Sequence, residues 1–170
     1  MCEGRDVGSG SGVVIGERYV LTAGHVTQVC AGGEFEIVTV KDERYRAVVD
    51  RVLPGADLAR LKIVGDFVIE QAPVTRVGSA PKIEEEICFH SGAPTRSIRC
   101  GRVELIESSG AGNVKHSAVV EPGNSGSPVF NKRGELIGII THYYRCQNGQ
   151  SCGGRFSSLW DREFLLTEVQ

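Results

Sequence analysis

Glycine sets the grain of this chain. Twenty-two of its 170 residues are glycine, nearly twice the usual share of about 7%, and they cut the apolar sequence into short runs. Glycine inside a helix or strand is destabilising by roughly 0.5–1 kcal/mol relative to alanine, whereas it serves tight turns well. Many short apolar segments ended by glycine turns therefore predict an all-β protein, not a helical bundle. Residues 13–15 and 19–21 read as two strands around the turn Gly16-Glu17-Arg18. Segments 35–40, 45–52 and 58–64 supply three more, the last alternating in and out of a core. The pattern weakens over 66–81, where turn formers gather, and this marks a crossing between two halves, 1–74 and 75–170. Segments 84–90, 100–106, 118–120, 127–131 and 136–143 fill the second half, with a hairpin turn at Asn131-Lys132-Arg133-Gly134. Ser158-Leu159-Trp160-Asp161 fits a capping box that opens a closing helix over 158–169, with Trp160, Phe164 and Leu165 on its buried face.

A chain of this length can bury one large core or two small ones. The formal net charge of −2 gives no broad pull toward nucleic acid or an anionic membrane. No apolar run approaches the ~20 residues of a membrane span. Met1-Cys2-Glu3-Gly4-Arg5-Asp6 is no signal peptide, which leaves two readings of the start: an expression start on a mature domain, or a cytoplasmic or viral product. The six cysteines favour an oxidising compartment and hence a secreted or extracellular protein. Cys146 and Cys152 enclose the polar Gln147-Asn148-Gly149-Gln150-Ser151 as a stapled loop, and subtraction leaves Cys2 with Cys30. The alternative is that some of the six are free, buried thiols. No paired Cys-x-x-Cys spacing favours zinc, so neither a metal nor another cofactor is expected.

The chemistry concentrates in three motifs. Gly123-Asn124-Ser125-Gly126-Ser127-Pro128 sets one serine in a glycine-hinged turn ahead of a strand-like run. A nucleophilic serine needs an exposed hydroxyl and nearby backbone N–H groups for the developing oxyanion, and the flanking glycines allow the sharp path this requires. Serine is a poor nucleophile at neutral pH, so it needs a base within hydrogen-bond reach. His25, in Thr22-Ala23-Gly24-His25, supplies one, because an ordinary imidazole is largely neutral at pH 7 to 8. Asp57, in Gly55-Ala56-Asp57-Leu58-Ala59, would hold the imidazole tautomer and stabilise the imidazolium. Taken singly, these residues read as a turn serine, a satisfied core histidine and a loop aspartate. Together they form a His…Asp…Ser series in the chain order of the chymotrypsin type. His90, His116 and His142 lack the Thr-Ala-Gly lead-in and are poorer candidates for the base.

These residues resemble the trypsin/chymotrypsin-like serine peptidases. Gly8-Ser9-Gly10-Ser11-Gly12-Val13-Val14-Ile15 resembles the family's lead into the strand before its histidine, and Tyr19-Val20-Leu21-Thr22-Ala23-Gly24-His25-Val26 resembles the histidine motif itself. Leu53-Pro54-Gly55-Ala56-Asp57, Ile87-Cys88-Phe89-His90-Ser91-Gly92 with Arg99-Cys100-Gly101, and Cys152-Gly153-Gly154 through Ser157-Ser158-Leu159-Trp160 are similar to the small bacterial secreted branch, alpha-lytic protease and the streptogrisins. Val119-Val120-Glu121-Pro122-Gly123-Asn124-Ser125 is closer to the HtrA-type peptidases. The resemblance spans residues 8 to 166. It implies two Greek-key antiparallel β-barrels with a C-terminal helix, the first carrying His25 and Asp57 and the second Ser125. It also implies a hairpin closed by Cys88 and Cys100, and an oxyanion hole made by the N–H groups of Gly123 and Ser125.

Two departures bear on mechanism. Asn124 stands where many relatives have an aspartate that receives a new N-terminal ammonium after zymogen cleavage, and a neutral amide offers no such ion pair. Ser127 replaces the second glycine of the common motif. For specificity, the resemblance brings Val119, Val120 and Glu121 to the S1 side and makes Ile139 to Tyr143 the strand that pairs with an extended peptide, through Thr141, His142 and Tyr143. Thr141 holds the place of a serine that often contacts the triad aspartate. Val120 and Ile140 imply an apolar, modest pocket narrowed by Tyr143, hence a small or medium apolar P1 residue. The expected protein is a monomeric serine endopeptidase acting on peptides or proteins. The alternatives are a viral or phage polyprotein-processing protease with Glu or Gln at P1, read by His142, and a peptidase-fold binding module without chemistry.

Overall fold

The computed structural model describes residues 8–30, 32–70, 74, 76–92 and 96–167. Its first half is a five-stranded antiparallel sheet of β1 (Val13–Gly16), β2 (Tyr19–Ala23), β3 (Phe35–Val38), β4 (Arg44–Leu53) and β5 (Leu58–Ile63). The strand order is β1-β2-β5-β4-β3, so β5, buried at five of its six positions, lies in the middle. Its second half closes into a barrel of β6 (Glu86–His90), β7 (Ile98–Ile106), β8 (Val114–His116), β9 (Pro128–Asn131), β10 (Leu136–Arg145) and β11 (Ser151–Ser158), in the order β10-β11-β8-β7-β6-β9. Closure gives every barrel strand a neighbour on both sides along part of its length; the first sheet stays a half-barrel. The architecture is all-β, of the chymotrypsin-like two-barrel type.

Three apolar clusters hold it together. Val20, Ala47, Leu61, Ile63 and Ile69 fill the concave side of the first sheet. Ile87, Phe89, Val103, Val114, Val129, Ile137 and Phe156 fill the barrel. A third cluster joins the halves: Ile15, Leu21, Ala23, Ala56 and Leu58 from the first pack with Leu136, Ile139, Leu159 and Leu165 from the second. The two halves therefore share one buried apolar cluster.

Four details differ from the sequence expectation. The strand expected at 118–120 lies at Val114–His116, although Ala118 and Val120 remain core residues. β11 was not legible, because Ser-Cys-Gly-Gly-Arg-Phe-Ser-Ser shows no apolar alternation; Ser157 and Ser158 are nonetheless fully buried and spend their polar groups on Gly112 and Asn113. The helix expected over 158–169 is corrected to one 3-10 turn, Glu163–Leu166. Ser158 ends β11, its N–H and that of Leu159 bond Asn113 Oδ1 and the Ile137 carbonyl, and its hydroxyl accepts from Asn113 Nδ2 and Arg162 instead of from helix amides. Phe164 points outward, 46% exposed, and only Leu165 of that expected face is fully buried.

Arg60 ties this C-terminal turn down. It is 1% exposed, pairs with Asp50 at 2.6 Å, donates to the carbonyls of Leu165 and Thr167 at 3.1 and 2.6 Å, and lies over the Tyr19 ring at 4.7 Å. A guanidinium can be buried here because its planar fork of donors is matched by three acceptors.

Disulfides join Cys88 to Cys100 and Cys146 to Cys152. Cys88 and Cys100 sit directly opposite each other in the β6–β7 ladder. Cys30 is also disulfide-bonded; Cys2, its expected partner, lies outside the described residues. Among the described residues no helix is long and apolar enough to cross a membrane.

Candidate active site

His25 is the second residue of a short helix, α1 (Gly24–Gln28), that follows β2 directly. Asp57 ends a 3-10 turn, Pro54–Ala56, and takes the left-handed conformation, φ 51° and ψ 46°. Non-glycine residues rarely sit there, and such strain persists only where surroundings enforce it. Here they do: the Asp57 carbonyl accepts from the Gly24 N–H at 2.8 Å, and the preceding Ala56 carbonyl accepts from the Ser157 hydroxyl of the second barrel. The Asp57 carboxylate then meets His25 twice, Oδ1 accepting from its backbone N–H and Oδ2 from Nδ1, each at 2.7 Å.

Ser125 comes from the opposite half. The turn that carries it is stitched on both sides: Gly126 N–H donates to the Ile140 carbonyl of β10, and the Ser125 carbonyl accepts from Ser11 N–H, both at 2.8 Å. Gly126 has to be glycine. Its φ is +90°, and a Cβ there would lie 1.9 Å from the Ser11 carbonyl oxygen. The result is a Ser125 hydroxyl 2.9 Å from His25 Nε2. A carboxylate only accepts hydrogen bonds, so Nδ1 carries the proton toward Asp57 and Nε2 is free to accept from Ser125.

The hydrogen bond to Asp57 raises the His25 pKa above the ordinary 6.5, against a smaller lowering by burial. With 43% of its side chain exposed, against 16% for Asp57, the imidazole stays open to the cleft while its partner is sheltered. Around Ser125, neither its own N–H nor that of Gly123 donates to an acceptor among the described residues, so two amides stand unengaged on the Ser125 turn. Asn124 is 5% exposed. It braces this turn as a neutral group: Oδ1 accepts from Glu121 N–H at 2.8 Å and its own N–H donates to the Glu121 carbonyl at 3.0 Å.

A model of the trypsin-like peptidase domain matches residues 10–139. The chain belongs to the trypsin-like peptidases. Among curated relatives, this trypsin-like chain is 28% identical over 158 residues to Protease Do-like 2, chloroplastic, of Arabidopsis thaliana, covering 85% of the chain and 25% of that protein. It is 30% identical over 158 residues to a probable periplasmic serine endoprotease DegP-like of Marinomonas sp. (strain MWYL1), covering 86% of the chain and 32% of the relative. The chain thus spans about a quarter to a third of the length of these relatives. Of solved structures, the MamO protease domain from Magnetospirillum magneticum superposes with a TM-score of 0.75 at 21% identity, covering 97% of this chain and 92% of that one, a likeness of fold. The HtrA-type protease AlgW with decapeptide superposes at 0.71 with 26% identity, covering 91% and 49%. The HtrA-type likeness of the Val119 to Ser125 stretch runs the same way.

The residues expected to contact substrate in this trypsin-like domain are placed unevenly. Val120 and Ile140 are buried among the barrel's core residues. Thr141 is also buried; its hydroxyl approaches the Arg155 carbonyl at 3.4 Å and His142 Nδ1 at 2.8 Å, while Ala56, beside the aspartate, is bonded by Ser157 instead. His142 and Tyr143 are exposed, and burial against its neighbours lowers the His142 pKa. Open space of about 470 Å³ lies alongside, lined by Val119, Glu121, Pro122, Arg145 and residues 149–151. Glu121 is ion-paired with Arg99 at 2.8 Å. Ser11 and Ser157, which fasten the site from opposite halves, were not singled out from sequence. Ser11 stands inside a Gly-Ser-Gly-Ser-Gly stretch, the one signal that could have drawn attention to it.

Proposed function

We propose that this chain is a serine endopeptidase working through an acyl-enzyme on Ser125. The observation that carries the reading is the unbroken hydrogen-bond chain Asp57–His25–Ser125, at 2.7 and 2.9 Å, beside two unengaged amides. In this mechanism Ser125 Oγ attacks the scissile carbonyl carbon as its proton passes to His25 Nε2. The oxyanion is held by the N–H groups of Gly123 and Ser125, each donor contributing on the order of 2.7–4 kcal/mol to the transition state. The imidazolium, paired with Asp57, then gives its proton to the leaving amine, and water deacylates the ester by the same route in reverse.

The substrate would lie along β10. On the side away from β11, β10 pairs with β9 only as far as Ile139, so Thr141 to Tyr143 present backbone groups for an extended peptide. For P1 we propose a small or medium apolar residue. Val120 and Ile140 offer no charge beneath the site, and the neighbouring cavity sets Arg145 against a Glu121 already neutralised by Arg99. Residues 1–74 and 75–170 are the two halves of one monomeric peptidase unit, acting on peptide or protein substrates without a metal or other cofactor. The periplasmic and chloroplastic relatives, with the Cys88–Cys100 and Cys146–Cys152 bridges, support a site of action outside the cytosol. The β6–β7 bridge also keeps the resemblance to the small bacterial secreted branch.

The test is covalent labelling by a fluorophosphonate. The native chain should label at one site, and Ser125→Ala should abolish it. Unlabelled native protein that still binds peptide would establish a binding module instead.

A further inference from the structure

Ser11 makes four hydrogen bonds, three of them to the second half of the molecule. It precedes β1 and is 8% exposed. Its N–H donates to the Ser125 carbonyl at 2.8 Å and its carbonyl accepts from the Thr22 hydroxyl at 2.7 Å. Its hydroxyl accepts from the Gly92 N–H at 3.0 Å. That leaves the single hydroxyl proton to be donated to the Gly123 carbonyl, 3.1 Å away.

Gly123 lies inside a turn closed by the Asn124 N–H on the Glu121 carbonyl at 3.0 Å, and side-chain packing adds nothing to hold it. It is exposed, its φ is +92°, and no atom would lie within 4 Å of a Cβ built on it. A glycine so placed samples a wide range of backbone conformations, and rotation about it would swing its N–H away from Ser125. On its N-terminal side Glu121 is locked to Asn124 by two hydrogen bonds. On its C-terminal side the hydroxyl of Ser11 is the partner of the Gly123 carbonyl among the described residues. The Gly123–Asn124 peptide unit is thus held at both ends, its N–H by the Glu121 carbonyl and its carbonyl by the Ser11 hydroxyl, and through the Gly123 Cα it bears on the direction of the Gly123 N–H. Gly92, which orients the Ser11 hydroxyl, lies two residues past the end of β6, the strand stapled by Cys88.

We infer that Ser11 is a positioning residue for the oxyanion hole: its hydroxyl, oriented by the Gly92 N–H, pins the Gly123 carbonyl and keeps the Gly123 N–H aimed at the developing oxyanion. This rests on the serine mechanism proposed above. Ser11→Ala removes the hydroxyl, adds no bulk and leaves both backbone bonds of residue 11 in place.

The experiment compares Ser11→Ala, Ser11→Cys and Ser11→Thr with the native chain. A donor displaced from its productive position lowers turnover about 10- to 100-fold, and Ser11→Ala should show that loss in kcat with KM little changed. The affinity of a peptidyl trifluoromethyl ketone, whose adduct bears an oxyanion, should fall by the same factor. The pH midpoint of activity should not move, since His25 and Asp57 are untouched. Ser11→Thr, which keeps the hydroxyl, should recover most of the activity, and Ser11→Cys, a weak donor of similar size, should fall between. An Ala variant that keeps more than half of native kcat overturns the inference. So does a loss that appears equally in the binding of uncleaved peptide to the Ser125→Ala background, which would mark a general structural defect. Failure of the native chain to label with fluorophosphonate would instead overturn the serine mechanism, and this inference with it.

Discussion

Asp57 grips His25 at two points, the backbone N–H through Oδ1 and the ring through Oδ2, each at 2.7 Å. One contact would orient the ring; two also fix where the ring stands relative to its own main chain. The grip depends on Asp57 holding a left-handed conformation between a turn and β5, and on Ser157 of the other barrel bonding the carbonyl just before it. The geometry of the His25–Asp57 pair is thus set by both halves of the molecule.

The pH dependence of activity follows from this pair. The hydrogen bond to Asp57 favours imidazolium and lifts the His25 pKa above 6.5. Since only neutral His25 can accept the serine proton, kcat/KM should rise with pH through a midpoint above 6.5 and stay high into mildly alkaline pH. Asp57→Asn should lower that midpoint and reduce kcat by about 10⁴. The check is a pH–rate profile of both proteins; an unmoved midpoint would show that Asp57 does not set the titration.

Specificity at P1 should be graded among apolar residues and steep against Lys and Arg. One methylene shifts preference by only about 1–3 kcal/mol, whereas burying an unpaired cation beside Val120 and Ile140 costs several kcal/mol. Matched peptides differing only at P1, compared by kcat/KM, measure this. A preference for Lys or Arg would rule out the pocket assignment, and one for Glu or Gln would make the exposed His142 the reader.

Acid should destabilise the fold through His116. The ring is 0% exposed, both nitrogens lack a partner among the described residues, and it lies between Phe89 and Phe156. Burial lowers its pKa to about 4. Between pH 6.5 and 4 the unfolded chain binds a proton that the folded one does not, so stability falls as pH drops through that window and the loss saturates below it. The total for this group is about 3 kcal/mol. Denaturant midpoints from pH 7 to 4 should decline in the native chain, and less steeply in His116→Phe.

Replacing Arg60 by alanine should destabilise the fold by about 2–4 kcal/mol. The change leaves two carbonyls near the C-terminal turn without their donor and strands Asp50, whose partial exposure, 25% of the side chain, moderates the penalty. Lysine should recover little, because an ammonium cannot span the three acceptors. Thermal unfolding of both variants tests this, and a Tm within about 1 °C of native would show that the C-terminal turn is held by Leu165 packing alone.

Sequence alone determined the class of fold, the three chemistry-bearing motifs and their order along the chain, because these rest on local patterns: glycine-broken apolar runs, an ordered His, Asp and Ser, and a glycine-hinged turn. The Cys88–Cys100 pairing was legible only through the family resemblance. What sequence missed is consistently non-local. β11 is a strand because β10 and β8 supply its hydrogen bonds and Asn113 satisfies its buried serine, none of which leaves a period in Ser-Cys-Gly-Gly-Arg-Phe-Ser-Ser. The expected C-terminal helix yielded to a 3-10 turn because Asn113 and Ile137 hold Ser158 and Leu159 to the barrel and the Ser158 hydroxyl accepts from Asn113 and Arg162. Ser11 and Ser157 gained their places only when the two halves met, 112 residues separating Ser11 from Gly123 and 101 separating Ser157 from Ala56. A serine's hydroxyl shows no preference in sequence for one distant carbonyl over another; packing of the two halves chose both.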